Sequence, residues 1–183
     1  MHPNPLYHGD DRPAIEAMIA QIGVGTVFLQ TPAGPRAART PLVMGGHNRI
    51  HFHLAKANAL FEHLDGASTL VTVDGPGGYV SPRWYADRDT VPTWNYVAVE
   101  AVGTVRRMAD DELETFLHRL IALQEDRLGA DRWNADEASE TVWQRLFTGI
   151  AGFELAVEEG MVLFRHTVPL RGTRGVSVEQ LED

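Results

Sequence analysis

The stretch NYVAVEAVGTVRRM, residues 95–108, sets Val97, Val99, Ala101, Gly103 and Val105 at every second position. Side chains of an extended strand alternate between faces, so these five share one face and the segment reads as a long, half-buried β-strand. Toward the N-terminus, VGTVFLQT, RAARTPLVM and RIHFHLA are separated by PAGP and GGHN, turn-rich tetrads suited to hairpins. STLVTVDG adds another strand, and the following DGPGGY, with Gly75, Gly77 and Gly78, reads as a turn. AGFELAVEEG returns to period two with Phe153, Leu155 and Val157 inward. At least five antiparallel strands are expected.

Helical spacing is confined to four places. DDRPAIEAMIAQI offers an aspartate N-cap, Pro13 in the first turn and an apolar stripe of Ile15, Met18, Ile19 and Ile22. NALFEHLD fits two turns. DDELETFLHRLIALQEDRLG opens on acids, closes on Arg127 and Gly129, and aligns Leu113, Phe116, Leu117, Leu120 and Ile121, a stripe fit to cover one end of a barrel. EASETVWQRLFTGI carries Val142, Trp143, Leu146, Phe147 and Ile150 in the same way. No repeat, linker or low-complexity tract divides the 183 residues. The reading is one domain, 1–183, mainly β with peripheral helices.

Composition narrows the function classes. A formal charge of −9, from 25 acidic against 16 basic residues with no basic run, disfavours direct nucleic-acid binding. The chain has no cysteine, which excludes disulfides and thiolate metal sites. MHPNPLYHGDDRP has no apolar run of the signal-peptide kind, and no window reaches eighteen apolar residues. A cytoplasmic protein without a membrane span is expected.

Two stretches carry candidate chemistry. In HFHLAKAN, His51 and His53 share a strand face and the chain then breaks into a loop with Lys56 and Asn58. An ammonium, amide donors and the small Ala55 and Ala57 are what a phosphate requires; alternatively, Lys56 is a solvated lysine and Asn58 an ordinary N-cap. The histidine pair would need a third ligand to hold a metal, with His47, His63 and Asp65 near in sequence. Hydrogen-bonded histidines on a half-buried strand are the expectation, and no metal is assigned. YVSPRWYADRDTVPTWNY, residues 79–96, gathers five rings and two prolines. Proline interrupts helix and strand, so the rings are placed on an irregular surface connection that lines a pocket or packs on a partner.

YVSPRWY followed by VPTWNY resembles the paired signature of the PaiB-type FMN-binding proteins, often labelled negative transcriptional regulators, within the FMN-binding split-barrel superfamily. HFHLAKAN is similar to the family's His-Leu-Ala-Arg-Ala-Asn segment, with Lys56 where arginine is common. The resemblance implies a six-stranded split β-barrel that forms a homodimer with FMN at the subunit interface. It also implies that His53, Ala55, Lys56 and Asn58 lie at the phosphate end, with Ser81, Trp84, Tyr85, Thr93, Trp94, Asn95 and Tyr96 as the wall near the ring system. A flavin's flat apolar face and polar edges suit such a wall. The chain departs from the pattern at Arg39, where relatives carry histidine, and at Val162 to His166. Arg39 is either a phosphate ligand or the partner of an acid.

The resemblance implies an FMN-binding protein with a regulatory or redox role. A flavin-dependent oxidoreductase is the alternative, and direct DNA-binding repression is disfavoured by the charge.

Overall fold

The long strand is present as β6 (Thr93–Arg107), which begins two residues earlier than its periodicity implied. The computed structural model describes residues 7–9, 11–46 and 48–166. Before β6 come β1 (His8–Gly9), α1 (Arg12–Ile22), β2 (Val24–Thr31), β3 (Gly34–Met44), β4 (Arg49–Ala55), α2 (Phe61–Leu64) and β5 (Ser68–Val80). After it come α3 (Asp110–Glu125), α4 (Glu140–Phe147) and β7 (Ile150–His166). The antiparallel order is β1-β7-β4-β3-β2-β5-β6, and a further β7–β6 pairing closes six long strands into a barrel. The two-residue β1 adds to β7 from outside that ring.

Alternation decides what lies inside. Val27, Phe52, Val71, Val99, Ala101, Phe153 and Leu155 point inward and are almost wholly buried, with Phe52 and Phe153 stacked at 5.6 Å. Each such Val, Leu or Phe side chain contributes about 1.5–3 kcal/mol relative to exposure. Helix α1 adds Ile15 and Ile19 to the same core. Its cap is the expected one, with Asp11 accepting from the Ala14 amide and Gly23 ending the helix at φ 68°.

Helix α3 lies elsewhere than the barrel end assigned to it. Leu113, Phe116 and Leu120 form a second cluster with Val43 and Met108, on the outside of the strands, while Leu117 is only partly buried against it. Gly152 permits this: a Cβ there would lie 2.8 Å from Met108 Sδ and 3.0 Å from Leu113 Cδ1. Strand β7 is therefore covered on both faces, and residues Ala151 to Leu155 are all buried.

Three further expectations are corrected. DGPGGY is no terminal turn, since β5 runs through it to Val80 with a bulge between Asp74 and Gly77. NALFEHLD forms only the four-residue α2, because the Asn58 carboxamide accepts from the Leu60 amide at 3.0 Å and holds a turn where the first helical turn was expected. On α4, Val142 and Leu146 are exposed, and only Trp143 and Phe147 are half-buried.

Candidate functional site

Strand β4 delivers the first candidate group. Ile50, Phe52 and Leu54 point into the barrel, so His51, His53 and Ala55 face outward. The two histidines lie under Phe116 of α3, their ring centroids 6.1 and 5.9 Å from it. His51 Nε2 is 2.9 Å from a Glu154 carboxylate oxygen, so its polar partner is an acid of β7. His47, one of the suggested third metal ligands, lies outside the described residues. His53 stands opposite Gly152, and its Nδ1 is buried without a hydrogen-bond partner. Burial pushes its imidazole pKa down, which favours the neutral ring.

Beyond β4, Ala55, Lys56 and Ala57 are exposed, leaving backbone open to an approaching anion. Lys56 Nζ donates to the Thr148 carbonyl at the end of α4 at 2.8 Å, where a helix C-terminus attracts a cation. The Lys56 and Asn58 amides donate to Gly149 and Ala55 carbonyls, so neither stands ready as a phosphate donor. Asn58 does not cap α2, whose preceding residue Leu60 makes no side-chain cap. Arg39 is exposed on β3, and continuing the β3–β4 register sets it level with Ala55. The exposed turn thus carries Lys56 and lies level with Arg39, two cations of the charge that an anionic group requires.

The ring-rich stretch is more regular than expected. Tyr79 lies on β5 and Trp94 and Tyr96 on β6, directly paired as Tyr79 with Trp94 and Gly77 with Tyr96. Only residues 81–92 are irregular, with Pro82–Trp84 in a single 3₁₀ turn capped by the Ser81 hydroxyl, which accepts from the Arg83 amide. Tyr79, Trp84 and Trp94 are 51%, 44% and 57% exposed, far more than rings used for core packing. Tyr85, Thr93, Asn95 and Tyr96 are half-buried. Beside Trp94 and Tyr96, a cleft of about 500 Å³ opens over the bulge at Asp74, Gly75 and Gly77. Gly77 lets the strands and ring approach closely there, since a Cβ would come within 3.1 Å of the Trp94 indole nitrogen and of the Asn95 carbonyl oxygen.

Within the chain the two groups stand apart. Ala55 pairs with Ile150 at the start of β7, and Tyr96 with His166 at its end. Across the other side, Arg39 is linked through Thr26 and Thr72 to Glu100, four residues along β6 from Tyr96. Three strand spacings and four residues amount to roughly 20 Å along the barrel wall.

Residues 1–159 match a family described as "Putative FMN-binding domain". The chain belongs to that family. Its cofactor is accordingly FMN. The protein called Protease synthase and sporulation protein PAI 2 of Bacillus subtilis (strain 168) is 30% identical over 165 residues, covering 87% of this chain and 78% of that protein. Among solved structures, the FAD and heme binding protein of Mycobacterium smegmatis superposes with a TM-score of 0.65 at 17% identity, covering 89% of this chain and 75% of its own. The flavocytochrome Anf3 of Azotobacter vinelandii gives 0.65 at 19% identity, covering 95% and 76%. At such identities these two establish the fold, a split barrel.

Sequence reasoning missed the acid that organises the outer face of β4. Glu154, 4% exposed, accepts from His51, Arg49 and Arg106, the last at 2.9 Å. Arg106 also forms a bidentate pair with Glu112 of α3 at 2.7 and 2.8 Å. Burial pushes the Glu154 carboxyl up, but hydrogen bonds from Arg106 and His51 more than reverse this and hold it below the usual carboxylate range. The alternation of GFELA did contain a signal, because an acid between two inward residues of a strand covered on both faces must find partners.

Proposed function

We propose that the protein is a homodimeric FMN-binding module in which one protomer's Lys56 turn and the partner's ring-bearing hairpin hold the same flavin. The observation that carries this reading is that the two groups lie three strands apart around the barrel of one chain, since both suit one ligand and a second copy supplies the missing half. Lys56, with the small Ala55 and Ala57, would hold the phosphate. Ser81, Trp84, Tyr85, Thr93, Trp94, Asn95 and Tyr96 would cover the flat ring and address its polar edges. FMN supplies redox chemistry when bound, while these residues orient it and exclude water. The name of the Bacillus subtilis relative, Protease synthase and sporulation protein PAI 2, includes sporulation, which supports a regulatory use of the flavin.

Titration of FMN and riboflavin into wild type and Lys56→Ala, read by flavin fluorescence, tests the assignment. Loss of a charge-assisted hydrogen bond of about 1.5–3 kcal/mol weakens FMN roughly ten- to a hundredfold. Riboflavin, which lacks the phosphate, should bind both proteins alike. Equal FMN affinity in both would remove Lys56 from the site, and no binding to wild type would remove the flavin itself. Oxidation of NADH or NADPH by the loaded protein would move the reading from regulator to oxidoreductase.

A further inference from the structure

The bulge in β5, at the cleft beside Trp94 and Tyr96, decides which way Asp74 faces. Side chains alternate along a strand, so in an unbroken ladder Asp74 would lie on the opposite face from Tyr79, five residues on. The register instead pairs Asp74 with Ala98, Gly77 with Tyr96, and Tyr79 with Trp94. Opposed residues share a face, and Trp94, Tyr96 and Ala98 stand at every second position of β6. The extra residue between Asp74 and Gly77 therefore turns the carboxylate to the side that bears the rings. Asp74 is exposed and lines the cleft of about 500 Å³ together with Trp94, Tyr96 and Ala98. Among the described residues lining it there is no lysine, arginine or histidine. The acids in ion pairs among the described residues are Glu16, Glu112, Asp126 and Glu154, which leaves Asp74 without an ionic partner among them. Glu100, two residues beyond Ala98 on the same face of β6, adds a second negative charge nearby.

We infer that Asp74 tunes the cofactor: its carboxylate lowers the reduction potential of a flavin whose ring lies against Trp94 and Tyr96. The inference rests on the proposed function and adds which residue sets the flavin's redox balance, and in which direction. Near neutral pH, two electrons and one proton convert oxidised FMN to reduced FMN, whose ring carries a negative charge that the oxidised ring lacks. A carboxylate in the same cleft repels that charge and leaves the neutral ring almost untouched. Lys56, at the phosphate, attracts both forms alike, because reduction does not change the phosphate's charge. The discrimination therefore falls to the group beside the ring. Repulsion by Asp74 should weaken reduced FMN about tenfold relative to oxidised FMN, which is about 30 mV for a two-electron couple.

Redox titration of the FMN-loaded full chain at pH 7, with dithionite as reductant and a dye of known potential as reference, tests it. Asp74→Asn should raise the midpoint potential by about 30 mV, the tenfold gain in relative affinity for reduced FMN. Asp74→Glu keeps the charge and should hold the wild-type ratio of the two affinities to within about twofold. Glu114→Gln removes the same charge from the exposed face of α3 and should leave the potential at the wild-type value. Oxidised FMN, titrated by flavin fluorescence, should bind Asp74→Asn within about threefold of wild type, since its ring is neutral. If Asp74→Asn fails to fold, Asp74→Ser removes the same charge and decides. A merely structural part for Asp74 in the bulge would lower the urea midpoint and leave the potential where it was. An unshifted or lowered potential in flavin-loaded Asp74→Asn, or an equal rise in Glu114→Gln, would overturn the inference while the flavin reading stands. Failure of wild type to bind FMN would overturn the flavin reading and this inference with it.

Discussion

Glu154 shows how a single side chain joins three strands. His51 on β4 and Arg106 on β6 are its direct cross-strand neighbours, and Arg106 reaches on to Glu112 of α3. Truncating it leaves the half-buried His51 imidazole without its acceptor and removes one of the two carboxylates that Arg106 meets. Glu154→Ala should therefore destabilise the fold by about 2 kcal/mol, read as a lowered urea midpoint. Glu112 is held at about 2, first by the Arg106 side chain and then by the Ala109 amide. A depressed carboxylate stabilises the fold above its unfolded pKa and stops doing so as pH falls through the folded one. Stability should thus fall from about pH 4.5 toward 2, less steeply in Glu112→Gln.

His53 acts in a different window. Its folded pKa lies below the ordinary 6.5, so the unfolded chain takes up a proton first as pH falls. Stability rises with pH wherever the unfolded state binds more protons. Unfolding free energy should decline as pH drops below about 6.5, and His53→Phe should flatten that decline in urea titrations at successive pH values. An unchanged slope would mean that the imidazole is solvated. The shared outward face of His51 and His53 was legible from two-residue spacing. Their different surroundings were not, because Phe116 and Glu154 come from elements distant in sequence.

At the scale of elements, the pairing of β6 with β7 shapes the barrel. The register shifts between Ala101 and Gly103, where β6 advances from Met161 to Val157. Gly103 lies at the closest approach: an added Cβ would fall 1.9 Å from the Ala156 carbonyl oxygen and 2.9 Å from Val157 Cα. Backbone cannot yield as a side chain does, so Gly103→Ala should cost about 3 kcal/mol or abolish folding. A urea midpoint within error of wild type would show that the strands part easily there. The sequence reading placed Gly103 correctly among the inward residues but saw only its parity. The bulge in β5 was misread for a related reason, since DGPGGY has turn composition and only pairing with Asn95 and Tyr96 keeps it in the sheet.

At the scale of the whole molecule, acidity and the placement of arginines bear on DNA. Arg106 is committed to Glu154 and Glu112, and Arg107 lies 5.1 Å over the Phe61 ring. Arg171 and Arg174 lie outside the described residues. With a formal charge of −9, affinity for duplex DNA at physiological salt should be no tighter than roughly micromolar. Nanomolar, sequence-selective binding in a fluorescence anisotropy titration would refute this. Among the described residues no helix is long and apolar enough to cross a membrane.

The sequence by itself determined the β-rich class, the strands and helices of strong period, the Asp11 cap and the motifs by which the family is recognised. Periodicity and capping depend on residues within a few positions of one another, and those remain neighbours in any fold. Only the tertiary structure decided that Lys56 reaches Thr148 and that Glu154 gathers His51, Arg49 and Arg106. These contacts depend on strand order and register across the closed barrel. A one-residue slip in any ladder would turn that strand's outward side chains inward, and nothing local in the chain records which ladder each strand joins.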